Sequence, residues 1–367
     1  MKLNKQFFEL IKVSLGVLDS NSAQYSERRW QALYDIAQQQ ALTGICFAGV
    51  RRLMEQGINI PQQLYYEWLA QVGFIHQQNE RLNHESAELC HMISQRGYSC
   101  CILKGQAVAN LYDGELKTLR QPGDIDAWVI AQPKDVIKMG NSFGRIYYYD
   151  YHHADLELFP ETEIELHYRP TLSRNLWRNA RLQKWIKRER ERLIIQSKEL
   201  GFGVPCADFS LILTLNHNLW HLLYEGVGMR QMMDLYFVLR SHTDGTEKKK
   251  LLKHFSLMHF AAASMWVMQE AFGLESKYFV CEPDEERGRF LLNEIMLAGN
   301  FGHHDSRLKR DGSKNRVILM GRWIKHSMRL FRYYTVDVLW TPIGILYISL
   351  WRRWNYMIDK QIKHNER

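Results

Sequence analysis

The sequence predicts an α+β protein in which a small mixed sheet is embedded between helical N- and C-terminal regions. Three observations carry this expectation. Apolar residues recur at helical spacing up to about Gly97, short runs rich in strand formers follow to about residue 170, and helical spacing returns from Cys206 onward. The expected organisation is a helical region over 1–97, an α/β core over 98–205, and a helical region over 206–367 with a basic, aromatic end.

The N-terminal helices rest on the stretches "WQALYDIAQQQAL" and "LYYEWLAQVGFIHQQNERLNHESAELCHMISQRG", the second closed by Gly97 as a C-cap. "YSCCILKG" then predicts a short strand closed by a glycine. "QAVANLYDG" predicts a short helix ending at Gly114. "DIDAWVI" alternates and then turns apolar, like a strand entering a buried sheet. "GRIYYYDYHHADLELFP" and "TEIELHYRP" supply two or three more strands, and in the stretch between Ser173 and Gly203, which fits no single element, "ERLIIQS" is a candidate strand. "DFSLILTLNHNLWHLLYEG" and "MRQMMDLYFVLRSH" open the C-terminal helices.

A composition of 46% hydrophobic and 24% charged residues supplies a sizeable core and argues against disorder. The net charge of +8 is unevenly placed: Ser306 to Arg367 holds 14 Lys and Arg against 4 Asp and Glu. An anionic partner is therefore to be sought at this end. Cys46, Cys90, Cys100, Cys101, Cys206 and Cys281 form no CxxC pair and read as small hydrophobes in a reducing compartment. "MKLNKQFFELIKVSLG" lacks the continuous apolar core of a signal peptide. Val338 to Trp351 is too short to span a bilayer and contains Pro342. The expected location is cytoplasmic.

Asp124 and Asp126 stand two apart on a predicted strand, so both carboxylates face one space. Like charges held that close need a cation between them, and Mg²⁺ is the usual one. In "EIELHY", Glu163, Glu165 and His167 share a face, and Glu165 on a neighbouring strand would complete a two-metal site. Lys104 and Gly105 come at a strand-to-helix turn, where backbone N–H groups approach a phosphate. Arg120, on the loop with Pro122 and Gly123, has the fork geometry for a phosphate.

"ILKGQAVANLYDGELKTLRQPGDIDAWVI" followed by "IELHYRP" resembles the nucleotidyltransferases of the DNA polymerase β superfamily. More closely, it is similar to a bacterial family of uncharacterised nucleotidyltransferases. The matching residues are Leu103, Lys104 and Gly105, then Arg120, Asp124, Ile125 and Asp126, then Glu165, Leu166 and His167. Arg230 and Asp234 in "GVGMRQMMDLYFVLR" add a helical match. The resemblance implies a Mg²⁺ (or Mn²⁺) pair and transfer of a nucleotidyl group from an NTP to an acceptor that is a small molecule, sugar, protein or RNA. Asp124, Asp126 and Glu165 would be catalytic metal ligands. Lys104, Gly105, Gln106 and Arg120 would bind the nucleotide. Where the superfamily has Gly-Ser or Gly-Gly at the turn, this chain has Gly105-Gln106.

The alternative is a catalytically silent protein of the same fold that docks a partner or a membrane through its basic C-terminal helices. That segment interleaves Lys/Arg with Trp/Tyr, a composition that fits an inward-packed helical cap, an anionic membrane, a protein partner or, less favoured, nucleic acid. His217 and His221, four apart on a predicted helix, read as locally bonded packing residues. Arg230 and Asp234 read as an i,i+4 brace. The tandem His152-His153 would face opposite sides of a strand and so not share a metal, and His303-His304 reads as loop.

Overall fold

Helical spacing in the first quarter of the chain becomes four helices: α1 (Lys2–Ser14), α2 (Glu27–Gln39), α3 (Thr43–Glu55) and α4 (Gln62–Gln95). Gly97 takes φ +81°, a conformation that ends a helix and that a side chain disfavours. The sheet segment then runs β1 (Cys100–Ile102), α5 (Gln106–Ala109), α6 (Leu116–Leu119), β2 (Ile125–Val129), α7 (Pro133–Gly140), β3 (Arg145–Tyr149), β4 (His153–Glu157) and β5 (Ile164–His167). α8 (Leu176–Glu189) precedes β6 (Ile194–Ser197) and β7 (Phe202–Pro205). The rest is helical: α9 (Ala207–Tyr224), α10 (Met229–Arg240), α11 (Thr246–His254), α12 (Met258–Val267), α13 (Glu285–Ala298) and α14 (Arg316–Asn365). These elements come from a computed structural model of the protein, which describes residues 2–19, 26–241, 246–307 and 316–365. The α+β class is the one expected.

Two compact units divide the chain, each built from three stretches. One comprises Met1–Ser86, Lys104–Gly123 and Cys206–Lys314; the other comprises Ala87–Leu103, Asp124–Pro205 and Asn315–Arg367.

The first unit is helical. α9 and α10 are buried on nearly every face, their polar residues Asn218, Arg230, Gln231 and Asp234 included. Small residues let its helices approach closely. A Cβ at Gly44 would sit 2.2 Å from the Leu119 carbonyl oxygen, and one at Gly49 would sit 2.4 Å from Ser14 Oγ. The buried Trp68 donates from Nε1 to the Thr43 carbonyl at 2.9 Å, so its large ring leaves no polar atom unsatisfied. α5 stops at Ala109 and does not run to Gly114. Bonds from Leu111 N to Val108 O and from Tyr112 N to Ala109 O tighten the turn. Tyr112 then stacks on Phe237, with ring centroids 4.0 Å apart.

The second unit carries one seven-stranded sheet in the order β3-β4-β5-β2-β1-β7-β6. β2 pairs parallel with β5, β1 pairs parallel with β7, and the other pairs are antiparallel. The sheet therefore continues past residue 170, with "ERLIIQS" contributing β6. β7 falls in "GFGVP", whose glycines and proline hide it from a strand search. α14 kinks at Tyr334 (φ −130°, ψ 38°) and packs its inner face on this unit. Among the described residues, no helix is long and apolar enough to cross a membrane. Cys46, Cys90, Cys100, Cys101 and Cys281 are buried, Cys206 is half-buried, and all six are free thiols.

Candidate active site

The strand register brings two of the three predicted carboxylates, Asp126 and Glu165, together. Asp126 on β2 stands opposite Glu165 on β5, and Glu165 stands opposite Asp155 on β4. Directly opposed residues share a sheet face, so these three carboxylates form a row across three neighbouring strands. Two residues further along, Trp128, His167 and His153 form a second row on that face. The opposite face of β2 is apolar: Ile125, Ala127 and Val129 are all buried.

The imidazoles of the second row lie between the carboxylates of the first. His167 Nε2 is 2.9 Å from Asp126 Oδ1 and 3.0 Å from Glu165 Oε2. His153 Nδ1 is 3.7 Å from Glu165 Oε2, and its Nε2 is 3.0 Å from Asp155 Oδ1. The result is an alternating chain, Asp155–His153–Glu165–His167–Asp126. His152 extends it, with Nε2 3.0 Å from His153 Nδ1 and Nδ1 2.8 Å from Asp150 Oδ1.

Burial and these partners act in opposite directions on the titrations. Burial opposes the charged form of His167, but the hydrogen bonds to Asp126 and Glu165 outweigh it and raise the imidazole to about 9. Burial alone would raise Glu165, yet the hydrogen bond from His167 brings it down to about 2. His152 is pushed down to about 4, chiefly by burial. Asp150, despite its burial, is held below the usual carboxylate range by the bond from His152. Asp155 is raised, first by burial and then by Glu165, against the lowering effect of His153.

The tandem histidines depart from expectation. Because β4 begins at His153, His152 belongs to the preceding turn, and the two rings meet edge to face at 4.2 Å without diverging. Sequence reading also passed over Asp150 and Asp155. The alternation His153, Asp155, Glu157 marks one face of a strand, but only the register with β5 reveals that it is this face.

Asp124 stands immediately before β2 and is half-buried, whereas Asp126 lies fully within the strand and is buried. Three groups of described residues bring ligand atoms within 4.8 Å of one another: Asp126, Glu165 and His167; His153, Asp155 and Glu165; and His152, His153 and His167. Asp124 is in none of them. Two carboxylate oxygens and an imidazole nitrogen are a donor set that a divalent ion accepts. The residues present therefore fit such an ion.

The remaining predicted residues belong to the helical unit. Gly105 takes φ +51° and opens the single-turn α5, a conformation suited to glycine. Gln106 is buried and donates from Nε2 to Asn79 O at 3.1 Å and to Asn83 Oδ1 at 2.9 Å, so its amide is turned onto α4. Lys104 Nζ lies 3.0 Å from His217 Nε2, and His217 Nε2 lies 3.1 Å from His221 Nε2. The local bonding expected for the two histidines is present, and it extends to Lys104. The buried Arg120 forks onto Asp234, with Nε to Oδ1 at 2.7 Å and Nη2 to Oδ2 at 2.8 Å. Tyr112 adds a third bond to that carboxylate at 2.7 Å. The expected Arg230–Asp234 pairing is joined by a second arginine: a planar fork from Arg120 satisfies both carboxylate oxygens, while Arg230 also acts on Asp234 through its charge and donates from Nη1 to the Gln121 carbonyl at 3.3 Å.

Residues 26–273 match the profile of a family described as an uncharacterised nucleotidyltransferase. No curated protein and no solved structure matches the chain.

Proposed function

Because the chain belongs to the uncharacterised nucleotidyltransferase family, we propose that it transfers a nucleotidyl group from a nucleoside triphosphate to an acceptor hydroxyl or phosphate. The acceptor belongs to a small molecule, sugar, protein or RNA end. The observation that carries this reading is the in-register pair Asp126 and Glu165, closed on one nitrogen of His167 on a single sheet face.

The proposed cofactor is Mg²⁺ or Mn²⁺, held by Asp126, Glu165 and His167, with Asp124 as a further carboxylate at the mouth of β2. When bound, such an ion neutralises triphosphate charge and makes an acceptor hydroxyl easier to deprotonate. A nitrogen among the ligands favours Mn²⁺ over the harder Mg²⁺. Without the ion, the His167 Nε2–H orients both carboxylates, and that proton leaves when the nitrogen becomes a ligand; His153 stands between Glu165 and Asp155. Lys104 is assigned to phosphate charge, and Gly105 and Gln106 to the shape of its turn. Arg120, already forked onto Asp234, is assigned to bracing the loop that carries Gln121.

The test is incubation of the protein with each NTP labelled at the α-phosphate, Mg²⁺ or Mn²⁺, and a cell extract. Label should appear on an acceptor and vanish with Asp126→Asn. No labelling with any NTP, together with no metal-dependent NTP binding by calorimetry, would rule the reading out.

A further inference from the structure

The outer face of α14 is apolar in a way the fold does not use. Leu339, Ile343, Leu346, Leu350 and Trp354 recur at helical spacing, with Leu346 60% and Trp354 66% exposed. The inner face is committed to the sheet unit. Asp337 Oδ1 accepts from Arg178 Nη1 at 2.6 Å. A Cβ at Gly344 would lie 2.4 Å from the Arg174 carbonyl oxygen, so the helix sits hard against the backbone there. The Tyr347 and Trp351 rings meet Tyr151 at 5.7 and 5.4 Å.

Between Tyr333 and Trp351 the only Asp, Glu, Lys or Arg is Asp337, which faces inward. Exposed cations bracket the stretch, Lys325 and Arg332 before it and Arg353 after it. α8, bonded to α14 through Arg178, adds the exposed Lys184 and Lys187 and a Trp177 that is 70% exposed. An uncharged apolar stripe with cations at both ends and indole rings beside it has the chemistry of the boundary between headgroups and acyl chains.

From this arrangement we infer that α14 and α8 dock the protein on an anionic phospholipid surface, with α14 lying in the plane of the interface. Charge decides between this and a second copy of the chain. Two copies joined along this stripe would bring cationic ends near one another, whereas an anionic bilayer offers the complementary charge. Because no described helix is suited to crossing a bilayer and the inner face is occupied, attachment is to the surface alone.

The experiment is co-sedimentation of the protein with phosphatidylglycerol and with phosphatidylcholine vesicles across a salt series. The expected result is binding to the anionic vesicles that fades as salt rises. Leu346→Glu with Leu350→Glu, both at exposed positions, should lower it by at least about tenfold while leaving the circular dichroism spectrum unchanged. Lys184→Glu with Lys187→Glu should weaken it in the same direction. Failure of the intact protein to bind anionic vesicles at low salt overturns the inference, as does equal binding by the Leu346/Leu350 variant. A concentration-dependent dimer in ultracentrifugation that this variant dissolves would assign the face to a second copy instead. None of these outcomes depends on nucleotidyl transfer, so the two readings fail separately.

Discussion

Asp126 and Glu165, opposed on neighbouring parallel strands, close on the same nitrogen of His167 at 2.9 and 3.0 Å. Two carboxylates of like charge are held within one imidazole's reach, Asp126 buried and Glu165 half-buried. Divalent-metal affinity should therefore depend on both. Asp126→Asn and Glu165→Gln are each expected to weaken Mn²⁺ binding in calorimetry by about tenfold or more, and to lower turnover by roughly two to three orders of magnitude. Asp124→Asn combined with Asp126→Asn should abolish metal dependence without unfolding the protein. Unchanged metal-dependent NTP binding in that double variant removes the central assignment.

The same contacts predict how stability depends on pH in protein stripped of metal with EDTA. His167, ordinarily near 6.5, titrates at about 9 when folded, so its stabilisation is complete below about 6.5 and fades as pH rises through about 9. Glu165 is lowered to about 2, so its contribution is present above about 4.5 and is lost as pH falls toward 2. Unfolding free energy should drop by on the order of 2 kcal/mol between pH 6.5 and 9. His167→Gln should flatten that alkaline limb. An alkaline limb of the same slope in the variant would mean that another group causes it.

How much of this was readable beforehand follows from what strand alternation does and does not encode. A period of two places Asp126 on one face of β2 and Glu165 with His167 on one face of β5, and these residues were visible on that ground. It does not encode register, which is why Asp155 and His153 joined the site only through the pairing of β4 with β5. Helical spacing suggested that Asp234 would take Arg230, four residues earlier. The carboxylate also takes Arg120, 114 positions away in sequence, through a bidentate tertiary fork that no helix period encodes. The two compact units are likewise discontinuous, and a change of composition along a chain can mark only linear cuts.

That buried fork makes a stability prediction. Arg120 and Asp234 are both withdrawn from water, and Asp234, which burial alone would raise, is lowered by Arg120. Removing one partner strands the other charge. Asp234→Ala should cost about 3 kcal/mol in chemical denaturation, and Arg120→Ala a similar amount. The double variant should cost less than the sum of the two, since neither charge is then left alone. Strict additivity in this cycle would show that the pair is not coupled.

The last prediction concerns Lys104. Its ammonium has three donors and no acceptor, so the contact at 3.0 Å requires the His217 Nε2 lone pair to accept. The neighbouring His221 Nε2 lies 3.1 Å from the same nitrogen, and its Nδ1 faces Glu225 at 3.3 Å; burial lowers the His221 pKa against the raising effect of Glu225. That contact holds the lysine in one direction. Its assigned work is neutralising triphosphate in the ground state, which differs from what a metal ligand does in the transition state. Lys104→Ala should therefore raise KM for the NTP by about tenfold with a smaller change in kcat, whereas Glu165→Gln should act mainly on kcat. Steady-state kinetics with the NTP varied separates the two effects. If Lys104→Ala lowers kcat at unchanged KM while Glu165→Gln raises KM alone, the roles assigned to these two residues are wrong.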